Sequence, residues 1–322
     1  IFAPTRGLLS NSDLILILPI SLMWVMSVAP MVQILWAILG FSNPIMWWST
    51  SLFSLALSAT LFLRYSLRRD SGLSIDISLK NPPAIIPALA LSLLLISVAG
   101  PLQFNFRQDN TSSMVALLLI SIVPTFLTIR DRVGDMIMLY FTALSLLLIP
   151  SLSSSNLSGL DIQTEYFFAN SVIQDQSIDF SSNFHYSTVI STQGLVPLIS
   201  LWTGLSLTVV LKVIYPAIFS YCSILLYQSY DRIFNRDVAY FSTLMTLFGV
   251  SFYTSMLDVV RQGFAEIFLL SAVLLMCSSD ELRMHRNRVF LVPFLVSMTL
   301  AHYGINYVLY PVFWSAYFIF IS

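Results

Sequence analysis

The stretch GDMIMLYFTALSLLLIPSLSSSNLSGLDIQTEY, residues 134–166, passes from an apolar run into a polar loop that opens on two carboxylates. Gly134–Leu152 has the length and hydrophobicity of a helix crossing a bilayer, which needs about 20 mostly apolar residues. Beyond it, Ser153 to Gln193 carries no Lys or Arg and four acids, Asp161, Glu165, Asp175 and Asp179. The chain thus alternates between lipid-compatible helix and a long polar excursion, and long ordered loops tend to be functional.

The same signal repeats outward in both directions. Apolar runs at Leu14–Leu39, Pro44–Leu63, Pro83–Leu102 and Ser112–Ile129 precede this span. Leu205–Tyr230, Val238–Leu257, Gly263–Cys277, Val289–Ala301 and Ile305–Ser322 follow it. Composition agrees: of 322 residues 57% are hydrophobic and only 10% charged, with a mean hydropathy of +0.82. Soluble domains carry about a quarter charged residues, so an ordinary soluble enzyme is excluded. A net charge of −1 offers no field for a nucleic-acid partner. Two cysteines, Cys222 and Cys277, support neither a disulfide framework nor a thiolate metal cage. The expectation is an all-α polytopic membrane bundle of about ten spans.

Charge bias orients it. If Gly194–Gly204 lies at the interface and one helix runs from Leu205 to Tyr230, every Lys and Arg except Arg107, Lys212 and Arg261 falls on one side. That side is the cytoplasmic one and the N-terminus lies inside; the expected location is the plasma membrane. The chain opens on Ile1 and stops within an apolar run, so it reads as a piece of a longer protein.

On the opposite side the polar loop has a helical period. Ile162, Tyr166, Ala169 and Ile173 form an apolar stripe, the pattern of an amphipathic helix on a membrane surface. Ser158 is placed to cap it, with Asp161 three residues on. Asp161 and Glu165, one turn apart, are expected to project from one face beside the stripe. Two close carboxylates resist joint ionisation unless a cation or a proton lies between them. The pair therefore suits a general base, a ligand set for a divalent metal such as Mg or Mn, or both. The plain alternative is that they complement the helix dipole and face water.

A second constellation, Asp258, Arg261, Gln262 and Glu266, stands at the junction of two later spans. Charges near a bilayer are usually paired or functional. Asp258 and Arg261, three apart, either neutralise each other or leave Arg261 to offer a phosphate its bidentate fork. Lys212, near the start of a long helix, either snorkels to the headgroups or adds positive charge to the same hollow. His302 and Tyr303 occupy the turn between the last two spans; a lone His there is either a satisfied structural group or a ligand. His185 is a weaker candidate, and Trp47–Trp48 fits an interfacial aromatic belt. The sequons Asn110-Thr111-Ser112 and Asn156-Leu157-Ser158 fall on the outer side. No phosphate-binding Gly loop, HExxH or GxSxG motif occurs, nor a pair of matching broken segments of the inverted-repeat kind.

The order of parts resembles the core of the C-fold (GT-C) membrane glycosyltransferases. The resemblance rests on Gly159-x-Asp161-Ile162-x-x-Glu165-Tyr166, Pro197-Leu198, Thr203-Gly204, Lys212 and Tyr230-Asp231-Arg232. With Arg261-Gln262-Gly263-Phe264-Ala265-Glu266 and His302-Tyr303-Gly304, it is more similar still to an uncharacterised archaeal family of multi-pass proteins with that core. The resemblance covers residues 134–322, with an outer loop at 153–204; residues 1–133 form a four-span segment without counterpart. It implies transfer of a sugar from a polyprenyl-phosphate donor to an acceptor at the outer face. Asp161 matches the family's carboxylate after the first core span, as base or acceptor-binding group. Glu165 would assist it or share a metal, and Arg261, Lys212, His302 and Tyr303 would receive the lipid phosphate. Relatives often carry adjacent Asp-Glu, whereas here Glu165 stands a turn later, which leaves the base open. The competing expectations are a flippase or transporter of lipid-linked sugars and a non-catalytic scaffold of a glycosylation complex.

Overall fold

The structure, a computed structural model, describes residues 23, 25–33, 35, 39, 83–126, 131–176, 178, 189, 191–277, 285–309, 311 and 315. All regular structure among them is helical. The helices are α1 (Ile85–Arg107), α2 (Thr111–Phe126), α3 (Arg132–Leu152) and α4 (Leu160–Asp175), then α5 (Val196–Thr203). After α5 come α6 (Leu207–Ile233), α7 (Arg236–Leu247), α8 (Val250–Tyr253), α9 (Ser255–Asp258), α10 (Val260–Cys277) and α11 (His285–Ala301). A last helix, α12, covers Tyr303–Leu309.

Four of these, α1, α3, α6 and α10, are long and apolar enough to cross a membrane. A fifth span results if Leu291–Ala301 and α12, bent by 118° across His302, count as one broken crossing. α2 is apolar but has 16 residues, short of the usual spanning length. The expected span at 44–63, the Trp47–Trp48 pair and His185 lie outside the described residues. The expected span Val238–Leu257 is instead three pieces, α7, α8 and α9. Gly249 takes an extended conformation (φ −60°, ψ 128°), and a glycine inside a helix costs about 1 kcal/mol against alanine, so the ladder breaks there.

α3 is the central post, with 72% of its apolar window buried. Asp131 caps its first turn, accepting from the Gly134 N–H at 3.2 Å. α1, α2, α6 and α7 pack around it. Its last turn is tied to α6: Pro216 has no N–H to offer the Lys212 carbonyl four residues back, and Ser151 Oγ donates to that carbonyl instead (2.7 Å). Just before, α6 is widened by a π-turn at Val210–Ile214.

α10 packs against α6 at a glycine. A Cβ on Gly263 would collide with the hydroxyl of Tyr215, which is fully buried and donates to the Met256 carbonyl at 2.6 Å. Only a hydrogen at residue 263 lets the phenol cross the α10 backbone to reach α9.

Candidate functional site

α4 lies folded against the bundle. Its buried face is Ile162, Glu165, Ala169 and Val172, shifted from the expected stripe so that Tyr166 and Ile173 are half-buried and a carboxylate faces inward. The expected Ser158 cap is absent as well. The N-cap is Gly159, at φ 120° and ψ 152°, with no side-chain cap bond. Its reason is tertiary: a Cβ there would collide with the Asp258 carboxylate, and a positive φ of this kind is readily adopted only by glycine.

Glu165 is 2% exposed. Its Oε2 accepts from the Val260 N–H (3.0 Å), and its Oε1 accepts from the Arg261 N–H (3.4 Å) and from Arg261 Nη1 (2.7 Å). These are the first N–H groups of α10, which need an acceptor from outside the helix. Glu165 supplies it from 95 residues earlier in the chain, complementing the dipole of α10 as it does so. Burial pushes the carboxyl up to about 7, against the lowering pull of Arg261.

Arg261 is forked between the two acids. While Nη1 holds Glu165, Nη2 reaches the Asp161 carboxylate at 3.0 Å. The cation that the paired carboxylates call for is thus a guanidinium. The positions do not fit a shared metal: both Glu165 oxygens already accept donors, and only Asp161, one-third exposed at 34%, presents a carboxylate outward. Among the described residues no group of three or more His, Cys, Asp or Glu side chains is assembled for a metal. Asp258 and Arg261 do not neutralise each other as their spacing allows. Val259, at φ −124° and ψ 79°, breaks the helix between them, so they no longer share a turn.

The remaining candidates gather at this end with different contacts. Lys212 is buried; its ammonium donates to the Ser154 carbonyl and to that of Asn156 (3.3 Å), holding the turn that leads from α3 to α4. His302 lies near enough to feel both the Arg261 and the Asp161 charge. Its Nδ1 accepts from the Ile305 N–H at 3.2 Å, which caps α12, and its ring stacks on Tyr303 with centroids 5.5 Å apart. Tyr303 is half exposed. Between the end of α3, the start of α4, the α6 π-turn and the α8–α9 break lies a cavity of about 170 Å³, lined on its polar side by Ser151, Ser158, Lys212, Thr254 and Asp258. Burial raises the Asp258 carboxyl, and the neighbouring Asp161 raises it further.

The sequence reading missed one charged cluster entirely. Asp135, buried at the start of α3, accepts from Arg236 Nε (2.7 Å) and from the Tyr227 hydroxyl (2.9 Å). The available signal was an acid one residue inside an apolar run, a position that is costly unless paired.

No family model, no curated protein and no solved structure matches this chain.

Proposed function

We propose that the chain is a membrane glycosyltransferase of the C-fold type, with about ten spans. It would move a sugar from a polyprenyl-phosphate donor to an acceptor hydroxyl at the outer face of the plasma membrane. The observation that supports this reading best is the state of Asp161. It is a partly exposed carboxylate in the polar segment after a span, aimed by a guanidinium that is itself pinned to buried Glu165.

In this reading Asp161 is the base. The acceptor O–H donates to its carboxylate, and the proton passes to that carboxylate as the acceptor oxygen bonds to the anomeric carbon. The bond from that carbon to the phosphate oxygen breaks, and its electron pair leaves with the polyprenyl phosphate. Lys212 and His302, with Tyr303 beside it, would receive the growing negative charge, the kind of electrostatic help that is often the largest catalytic term. Glu165 and Arg261 act as positioning groups: Arg261 has both amino groups on carboxylates, so it holds the base and not the phosphate. The apolar scaffold serves the lipid chain, which lies between spans.

The test is release of polyprenyl phosphate by the full chain in lipid nanodiscs, supplied with polyprenyl-phosphate sugars and a panel of acceptors. Asp161→Asn, which keeps size and hydrogen bonding but removes the basic charge, should slow transfer about 10²- to 10⁴-fold. Undiminished transfer by that variant overturns the base assignment, and donor binding without any release favours a transporter or scaffold.

A further inference from the structure

We infer that the partly exposed face of α10 is a docking site for a spanning helix of another protein, one that carries a Lys or Arg to pair with Glu266. The inference stands independently of the transferase reading.

α10 is long and apolar enough to cross a membrane. Glu266 stands six residues beyond its first, Val260, about 9 Å along the axis at 1.5 Å per residue. A charge inside a bilayer is costly unless it is paired. Elsewhere in the bundle that condition is met: buried Asp135 has Arg236, and buried Glu165 has Arg261. Glu266 breaks the pattern. Its Oε1 accepts from the neutral Gln262 amide at 3.0 Å, and among the described residues no Lys, Arg or His forms an ion pair with it. The α6 groups close enough to feel its charge are the Tyr215 phenol and the Cys222 thiol. Neither is a cation, and the phenol has already given its proton to the Met256 carbonyl. The cation that would balance Glu266 is one the described bundle does not supply.

The surroundings of Glu266 fit a helix. Gln262, Glu266, Leu269, Leu270 and Val273 are partly exposed, and their spacing of i, i+4, i+7, i+8 and i+11 places them on one face. Every other residue from Val260 to Leu275 is buried. One face of α10 therefore joins the bundle, and the other offers three aliphatic side chains with a carboxylate one turn before them. Spanning helices meet through such faces, where packing supplies contact and a polar pair fixes the register. A second copy of this chain is the poorer occupant. A two-fold contact uses the same patch on both subunits, so it would bring two Glu266 carboxylates to one interface. Lys212 and Arg261, cations at the same end of the bundle, are already engaged by carbonyls and by carboxylates. A partner of different sequence, with a basic residue at the matching depth, supplies what is missing.

The experiment reads association and not turnover, so its failure leaves the transferase reading untouched, and failure of transfer leaves the docking site untouched. The full chain, with a donor dye at its end, is reconstituted in phosphatidylcholine vesicles. Energy transfer is measured to dye-labelled synthetic poly-leucine helices long enough to span, carrying one Lys, one Gln or one Glu at the depth of Glu266. The Lys helix should bind about 5- to 30-fold tighter than the Gln helix, the range expected of a polar contact between spanning helices, and the Glu helix no tighter than the Gln helix. Glu266→Gln should bring the Lys and Gln helices to parity. Leu270→Trp, on the same face with the charge intact, should weaken both, which places the contact on this stripe; size exclusion confirms that each variant is folded. Equal binding of the Lys and Gln helices by the parent chain overturns the inference. So does a preference for Lys that survives Glu266→Gln, or tighter binding of the Glu helix, which would show that Glu266 is balanced by a proton and needs no cation.

Discussion

Two carboxylate–arginine locks sit at opposite ends of the central helix α3, whose 21 residues span about 30 Å. At its start Asp135, with a side chain 3% exposed, takes Arg236 Nε and the Tyr227 hydroxyl on one oxygen, joining α3 to α6 and α7. Beyond its other end Glu165, 1% exposed at its side chain, takes Arg261 and the first N–H groups of α10. Each lock satisfies a buried charge with a cation and further donors, the condition under which such a charge is tolerated. The difference lies in what else the arginine holds. Arg261 extends its second amino group to Asp161, an acid that reaches the surface, with Asp258 and Lys212 around the cavity close by. The first lock joins α3 to α6 and α7; the second joins α4 to α10 and also orients the partly exposed Asp161 carboxylate.

That contrast can be broken at several points. Glu165→Ala leaves a buried guanidinium and two helix N–H groups without their acceptor. It should cost about 3–5 kcal/mol of stability, seen as a large drop in unfolding temperature in detergent, and it should abolish transfer with the fold. Asp161→Asn should separate the functions of the same lock: transfer falls by the factor given above, while stability changes by about 1 kcal/mol, since Asn keeps one acceptor for the guanidinium at this half-buried contact. An unfolding midpoint that dropped as far as for Glu165→Ala would make Asp161 a structural group. Asp135→Asn, which keeps one acceptor for Tyr227 or Arg236, should cost about 1–3 kcal/mol yet leave transfer per folded molecule unchanged; a selective loss of rate would show that the two ends are coupled. Smallest of all, Tyr227→Phe removes a single donor from Asp135 and should cost about 1 kcal/mol by the same thermal measurement.

Much of the helical architecture was legible beforehand. α1, α3, α6 and α10 appear near the expected runs because hydrophobic length is a local property, and a helix satisfies its backbone within itself. The single helix from Leu207 to Ile233, with α5 separate and ended by Gly204 at φ 70°, matches the placement that the charge bias favoured, with a terminating glycine at the break. The break at Gly249 was less visible, since a lone glycine is tolerated in some helices. Around the site, Asp161, Glu165, Arg261 and Lys212 stood out as charges needing an explanation, but their partners did not. Spacing allowed Asp258 to pair with Arg261 and Ser158 to cap α4. Both expectations fail because Val259 unwinds one turn and Asp258 presses against Gly159.

From the sequence by itself come the helices, the membrane character and the identity of the charges that demand partners, since each depends on composition and period within about 20 residues. Only the tertiary structure decided that Glu165 turns inward to cap α10, that Arg261 is the cation between two acids, and that Asp161 alone of that pair faces out. The reason is distance along the chain: α4 and α10 are nearly 100 residues apart, and no local pattern records which helix end a buried carboxylate will meet.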